Sequence, residues 1–371
     1  MPDKIVSNNK TYLIYEFTSP AEGFVDLQNT KDMFLEAKDK PFVIIDFSFE
    51  GEGSSYLYPD WSGHRGSGLG EQGFWNQSVS SLVIEQLHLL LREYDVDKTI
   101  LLYGDVNIEE NYTKWCDLNK EDRVFGKCLY RPHTLLQRSL DHYNEYNMKP
   151  NNVFKSKHFI CMNGYSKPHR LLILEKIFEN EWQDHGYISH LNTREILTED
   201  YGNIYFHSRN LYLDFDSNEI SVGNNQLLLP SQYNDACFDI VTESQVDDAS
   251  LFITEKTWKP ILNKTPFIIL GTKNSHKHLE EYFGIKPYTD LFNYSFDTLD
   301  YPERLYRMKE DNFDRLLNMN IHELNEIINS DKMQELLEYN KVQLLNHYTQ
   351  LYMGGKEARI KILIETIESQ Y

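Results

Sequence analysis

The chain has 371 residues, 40% hydrophobic and 13% aromatic, with 37 Lys and Arg against 57 Asp and Glu, for a formal charge of −20. That length suits two domains, and the apolar share supplies packed cores rather than disorder. The acidic excess argues against sequence-blind gripping of nucleic acid or an anionic membrane, which needs a net basic face.

Cys116, Cys128, Cys161 and Cys237 have no C-x-x-C spacing and read as reduced, buried thiols, not as a disulfide frame or a zinc site. Met1–Ser7 carries no apolar signal region, and no run of about 18–20 apolar residues would span a bilayer. A cytoplasmic protein without a membrane span is expected.

In chain order, Tyr12 to Phe17 predicts a strand and Phe42 to Phe47 a buried one. Val79, Leu82, Val83, Leu87, Leu90 and Leu91 fall at helical spacing within 77–94, and Thr99 to Tyr103 follows as a strand. Continuous apolar strands separated by helices indicate a parallel sheet covered on both faces. Between them, Gly51 to Gly73 holds glycines at 51, 53, 63, 66, 68, 70 and 73, a loop of a length seldom kept without function or disorder.

Polar composition at 146–157 reads as a linker, after which the pattern restarts. His158 to Met162 is a strand, Asn163-Gly164 a turn, and a helix opens near Pro168 with the stripe Leu171, Leu174, Ile177 and Phe178. Strands recur at Tyr187–His190, Cys237–Val241 and Pro266–Leu270, whereas 191–235 gives no clear pattern. From Pro302 to Tyr371 the chain reads as helical, interrupted near Gly354-Gly355. The expected division is 1–150 and 151–300 as two Rossmann-like domains, with 301–371 as helices packing on or bridging them.

Acids are missing from two windows of this acidic chain. Tyr146 to Leu174 has none but carries Lys149, Lys155, Lys157, Lys167 and Arg170; Lys256 to Leu279 has none but carries Lys256, Lys259, Lys264, Lys273 and Lys277. Each window holds a strand, a turn and a helix start, the place where open α/β sheets bind anions. A shared diphosphate pocket and two solvated lysine surfaces are the alternatives.

In the first window Ser166 would cap the helix and Pro168 would open it, which puts Arg170 on the first turn. Asn163 and Gly164 form the turn before it, and a surface ion pair of Arg170 with Glu175 or Asp184 is the other reading. In the second, Thr254 would cap a helix with Glu255 and Lys256 in its first turn. A cation there costs about 0.3–1 kcal/mol unless an anion is near, which favours a ligand role for Lys256.

Residues 252–271 resemble the donor-binding segment of the α1,3-fucosyltransferase family and of exostosin-like GT-B enzymes, in which a Thr-Glu-Lys helix start is followed by a Pro-then-apolar strand. Residues 155–285 also resemble virus- and phage-encoded glycosyltransferases with an Asn-x-x-x-x-Pro-His-Arg segment, here Asn163 to Arg170. The resemblance implies an α/β GT-B fold: two Rossmann-like domains with parallel sheets facing a central cleft, and a helical C-terminus. It places the acceptor on 1–150 and a nucleotide-sugar donor on 151–300. Glu255 would hold the ribose hydroxyls, and Lys256 and Arg170 the diphosphate. Trp258 and Pro260 depart from the commoner fucosyltransferase wording, so fucose is not implied. A viral origin would place the protein in the host cytoplasm.

Thr242 and Glu243, at the end of a strand on the same rim, would contact the donor or cap a turn. A carboxylate must take the proton from the acceptor hydroxyl in an inverting transfer. Glu50 is the first candidate and Glu52 the second, with Asp60 and Asp105 as outsiders. Tyr56, Tyr58, Trp61 and Trp75 offer faces for stacking on a sugar or base. Asp214-Phe215-Asp216 has the spacing of a metal-binding Asp-x-Asp but follows no clear strand, so no metal and no cofactor are expected. The acceptor stays open between glycan, small molecule and modified DNA, as does the oligomeric state. A nucleotide-sugar epimerase, a non-catalytic nucleotide-sugar-binding protein and a viral DNA-base glycosyltransferase are the rival functions.

Overall fold

The computed structural model describes residues 3–7, 10–16, 32, 34–35, 42–47, 87–93, 99–130, 154–163, 168–190, 211–212, 231–243, 246, 251, 253–352, 361, 364–365 and 368. The chain divides into two compact units. One comprises Met1–Leu135, Ala249–Phe252 and Leu351–Tyr371; the other comprises Leu136–Asp248 and Ile253–Gln350.

In the first unit, β1 (Asp3–Ser7), β2 (Lys10–Glu16), β3 (Phe42–Phe47), β4 (Thr99–Tyr103) and β5 (Phe125–Tyr130) form one sheet in that order. β1 runs antiparallel to β2 and the other pairings are parallel. Side chains alternate across the pleat. Leu13, Val43, Ile45 and Leu101 pack on one face with Tyr112 and Trp115 of α1 (Ile108–Asn119) and with Leu87, Leu90 and Leu91. Tyr12, Ile14, Ile44, Ile100 and Leu102 pack on the other, with Ile364. Both faces are buried, as the unbroken apolar strands require.

The second unit's sheet consists of β6 (Lys157–Asn163), β7 (Gly186–His190), β8 (Leu211–Tyr212), β9 (Ala236–Thr242) and β10 (Phe267–Leu270), in the order β10-β9-β6-β7-β8. Only the β7–β8 pairing is antiparallel. The connections carry α2 (Pro168–Glu179) and α3 (Glu255–Leu262), and α4 (Ser275–Phe283) follows β10. Gly186 faces Phe159 across the β6–β7 pairing, where an added Cβ would come within 2.4 Å of the phenyl ring. The chain steps from β6 to β7 on one side and returns to β9 on the other. The carboxyl ends of β6 and β9 therefore lie where the strand order reverses, the place where open α/β sheets bind ligands. The described strands of the first sheet step in one direction and have no such reversal.

The C-terminal helices are α5 (Glu303–Met308), α6 (Asp314–Leu317), α7 (Ile321–Ile328) and α8 (Asp331–Tyr352), with a π-helical turn at Lys309–Phe313 between α5 and α6. Three buried asparagines fasten them by one device. Asn312, Asn325 and Asn340 each accept a backbone N–H from a distant residue and donate back to the same residue's carbonyl. Their partners are Asn293 (2.7 and 3.0 Å), Lys155 (2.7 and 2.9 Å) and Lys286 (2.8 and 2.9 Å). Each pair satisfies both polar groups of one peptide position inside the protein.

The helices up to Gln350 belong to the second unit's core. Only the last residues return to the first unit, where Tyr12 donates to Glu368 at 2.6 Å. Among the described residues no helix is long and apolar enough to cross a membrane.

Candidate functional site

The reversal point is built from the ends of two neighbouring strands. The Thr242 hydroxyl donates to Asn163 Oδ1 at 2.6 Å, and the Asn163 amide nitrogen lies 3.3 Å from Cys161 Sγ. Both residues are buried, so the ends of β6 and β9 are locked together.

Glu243, one residue past β9, carries the start of α3. One carboxylate oxygen accepts Thr254 N–H at 2.9 Å and the Thr257 hydroxyl at 2.7 Å, and the other accepts the Thr254 hydroxyl at 2.6 Å. Thr254 caps the helix as expected, with its side chain accepting from Lys256 N. Thr257 N bonds the Thr254 carbonyl, and Glu255 N–H bonds its own carboxylate. The first-turn amides of α3 are therefore directed at protein acceptors. The expectation that this helix end presents amides to a phosphate is corrected: its recognition capacity lies in its side chains.

From the other side, Pro168 opens α2 and the next two residues point at β9. His169 Nε2 donates to the Glu243 carbonyl at 2.8 Å. Arg170 donates to the carbonyls of Thr242 and Glu243 at 3.4 and 3.3 Å, long for N–H···O bonds. Arg170 is 3% exposed, which rules out the surface ion pair with Glu175 or Asp184. Burial lowers its guanidinium from its ordinary value, opposed by the nearby charges of Glu243 and Glu255.

Glu255 and Lys256 form an ion pair at 2.9 Å, and Lys256 Nζ also reaches Thr254 Oγ1 at 3.1 Å. The unfavourable place of a cation at a helix N-terminus is thus offset in part by its neighbour. Burial alone would raise the Glu255 carboxyl, but Lys256 and Lys259 hold it down at about 2. Lys259, one turn further on, is buried. Burial draws its ammonium down to about 8 against the attraction of Glu255 and Asp239. Burial raises Asp239 to about 7, although the Tyr233 hydroxyl donates to it at 2.6 Å.

Most of the basic residues in the two acid-free windows lie elsewhere. Lys155 is buried at the opposite end of β6, bonded to the Asn234 carbonyl, and Lys157 reaches the Asp184 carbonyl. Lys264, Lys273 and Lys277 pair with Glu338, Asp300 and Glu281. Among the described members, Arg170 and Lys256 reach the ends of β6 and β9 through Thr242, Glu243 and Thr254, and Lys259 is buried further along α3; Lys149 and Lys167 lie outside the described residues.

Sequence reasoning counted Lys259 only among the cations of the second window and passed over Asp239 and Arg304. The buried Arg304 guanidinium donates to the carbonyls of Gly271, Leu299 and Val246 at 3.1, 2.6 and 2.6 Å, which ties the segments after β9 and β10 together. Lys259 had a signal: it follows Glu255 by four residues within an apolar helix. Arg304 had none.

Glu50, Glu52, Asp60, the aromatic residues Tyr56, Tyr58, Trp61 and Trp75, Ser166, and the Asp214–Asp216 pair lie outside the described residues. Asp105 is fully buried at the end of β4, and one oxygen accepts the backbone N–H of Asn107 at 2.9 Å and of Leu251 at 3.0 Å. That carboxylate shapes a loop. Among the described residues no group of three His, Cys, Asp or Glu is placed to hold a metal ion.

No protein-family model matches the chain, and no curated protein matches it. Among solved structures the chain is similar to one described as T4 phage BGT in complex with UDP and Mn2+, with a TM-score of 0.34 and 10% identity over 91% of this chain and 81% of that one. Likeness of this depth carries no chemistry, which has to come from the side chains.

Proposed function

We propose that the second unit binds a nucleoside-diphosphate sugar at the carboxyl ends of β6 and β9, and that the chain is a GT-B glycosyltransferase moving the sugar to an acceptor hydroxyl. One observation carries the reading: Arg170 and Lys256, far apart in sequence, are both anchored to the Thr242–Glu243 end of β9, beside the point where strand order reverses.

In this reading Lys256 and Arg170 meet the charge that grows on the departing diphosphate, and the ionised Glu255 accepts from ribose hydroxyls. Asn163 and Thr242 tie together the ends of β6 and β9 beside the donor, and Glu243 acts by holding α3. Fixed charges aimed at a leaving group typically contribute about 3–4 kcal/mol each. The acceptor's proton would go to Glu50, or to Glu52, on the first unit, with inversion at the anomeric carbon. Two side-chain cations supply the charge stabilisation that transfer without a divalent ion requires, and turnover with and without a chelator tests that part.

The primary test is calorimetry and thermal shift with UDP, GDP, CMP and dTDP, followed by the sugar donors of whichever binds. Saturable binding and release of nucleoside diphosphate in the presence of an acceptor are expected. Binding of none of the four overturns the reading; binding without turnover on any acceptor identifies a non-catalytic nucleotide-sugar-binding protein.

A further inference from the structure

We propose that Arg304 is a positioning residue of the donor site: it fixes the chain on both sides of Glu243 and so sets the start of α3, where Glu255 and Lys256 stand. The inference rests on the donor-site reading above and deepens it.

Arg304 lies in α5 and is 1% exposed. Its Nε donates to the carbonyl of Gly271, the residue after β10, at 3.1 Å. Its Nη2 donates at 2.6 Å to the carbonyl of Val246, which follows Glu243 just beyond β9. Gly271 is packed directly against Glu243. A Cβ added there would come within 3.3 Å of Glu243 Cβ and 3.0 Å of Ser275 Oγ, which is buried and donates to the Thr272 carbonyl at 2.6 Å. The Glu243 N–H bonds the Leu270 carbonyl at 2.9 Å. One guanidinium therefore grips the residue that abuts Glu243 on the neighbouring strand end and also the chain that runs on from Glu243. Its third bond, from Nη1 to the Leu299 carbonyl at 2.6 Å, anchors the grip to the segment before α5.

Glu243 transmits its position to α3 through the Thr254 N–H, the Thr254 hydroxyl and the Thr257 hydroxyl. Thr254 in turn meets Lys256 Nζ, so a shift of the carboxylate moves the pair that faces the donor. The three groups that Arg304 bonds are neutral carbonyls on separate segments. A guanidinium reaches them together because its donors are spread over a rigid plane, whereas an ammonium is a single point on a flexible stem. Arg304 thus supplies geometry, and charge alone does not replace it.

The test uses full-length protein and two readouts. Amide hydrogen exchange without nucleotide compares the Thr254 N–H, which Glu243 holds, with the amides of the central strand β6. Arg304→Met and Arg304→Lys each lower protection at Thr254 by about tenfold more than in β6. Gly271→Ala leaves the guanidinium in place but presses on Glu243; it gives the same selective loss, and serves alone should both Arg304 variants not fold. Calorimetry then uses whichever of UDP, GDP, CMP or dTDP binds the wild type most tightly, and the folded variants bind it about tenfold more weakly. Equal loss of protection at Thr254 and in β6 would make Arg304 a brace for overall stability, and overturns the proposal. Affinity unchanged in the folded variants overturns it too, as does an Arg304→Lys protein indistinguishable from wild type. A wild-type protein that binds none of the four nucleotides refutes the donor-site reading itself, and exchange at Thr254 then shows separately whether Arg304 sets α3.

Discussion

Glu243 holds Thr254 with both oxygens of its carboxylate, taking the backbone N–H at 2.9 Å on one and the hydroxyl at 2.6 Å on the other. Eleven residues separate the two, and the bonds weld the end of β9 to the first turn of α3. The hydroxyl of Thr257 joins the first oxygen, so one fully buried side chain satisfies three donors.

Glu243→Ala leaves those three donors without an acceptor in a dry environment, at about 1–3 kcal/mol each before relaxation. A net loss of about 3 kcal/mol or more is expected, with α3 released and nucleotide binding gone. Glu243→Gln keeps one acceptor and costs about 1–2 kcal/mol. Urea unfolding compared with calorimetry checks both; an unchanged midpoint in the alanine variant refutes the assignment.

The strands were legible wherever both faces are buried, because an unbroken apolar run such as Phe42–Ile45 or Phe267–Leu270 has few other fates. The two edge strands of the first sheet were not. Among the described strands, Asp3–Ser7 and Phe125–Tyr130 each pair with one neighbour and have a mixed polar pattern. Strand order was equally hidden, since the β6–β9 pairing matches Ile160 with Asp239 and no local pattern encodes it. The acid-free windows counted charge along the chain and not in space: they hold Arg170 and Lys256, but also Lys264, Lys273 and Lys277, whose partners come from a distant helix, a loop and the next turn. The carboxylate of Glu243 turned inward because three hydroxyl and amide donors meet it there, a convergence that exists only after folding.

His276, His278 and His347 make the second unit sensitive to acid. Burial lowers each of them to about 4, with Asp297 opposing the effect at His276. His276 Nε2 accepts the Ile269 N–H at 2.9 Å, a bond that needs that nitrogen unprotonated. The folded pKa lies below the unfolded value of 6.5, so the unfolded chain binds more protons between the two. The stability these groups contribute is complete above about 6.5 and is lost as pH falls towards 4. Asp239, raised to about 7, works the other way and offsets part of the loss. Urea midpoints at pH 7, 5.5 and 4.5 should fall. His276→Gln, which retains an acceptor for Ile269, should flatten the fall by on the order of 1–3 kcal/mol. A pH-independent difference between that variant and wild type would contradict the linkage.

Asn340 fastens α8 to Lys286 by accepting from its N–H and donating to its carbonyl. Asn340→Ala leaves a donor and an acceptor unmatched and opens a small void, for about 2–4 kcal/mol. Asn340→Asp keeps the acceptor but turns the donating end into an anion facing a carbonyl, and should be as damaging at neutral pH while partly recovering in acid. Asn325→Ala, which releases Lys155 at the start of β6, should behave alike, because the device is the same. Thermal and urea unfolding read all three, and a loss below about 0.5 kcal/mol in the alanine variants would show that water replaces the amide at little cost.

Lys256→Ala separates charge at the site from the integrity of the fold. The side chain is part-exposed, and its removal leaves Glu255 still opposed by Lys259, so the variant should melt within a few degrees of wild type. In the proposed transfer its effect belongs to the transition state, where the diphosphate gains charge as the sugar departs. Loss of one such fixed cation lowers kcat/KM for the donor by on the order of 10²-fold, with most of the change in kcat if Lys256 acts on the leaving group and in KM if it only binds ground-state phosphate. Lys256→Arg keeps the charge but brings a broader, planar group to the narrow position between Thr254 Oγ1 and Glu255, so partial activity is expected. Turnover of Lys256→Ala close to wild type would mean that the proton-bearing nitrogen beside Glu255 serves that carboxylate alone.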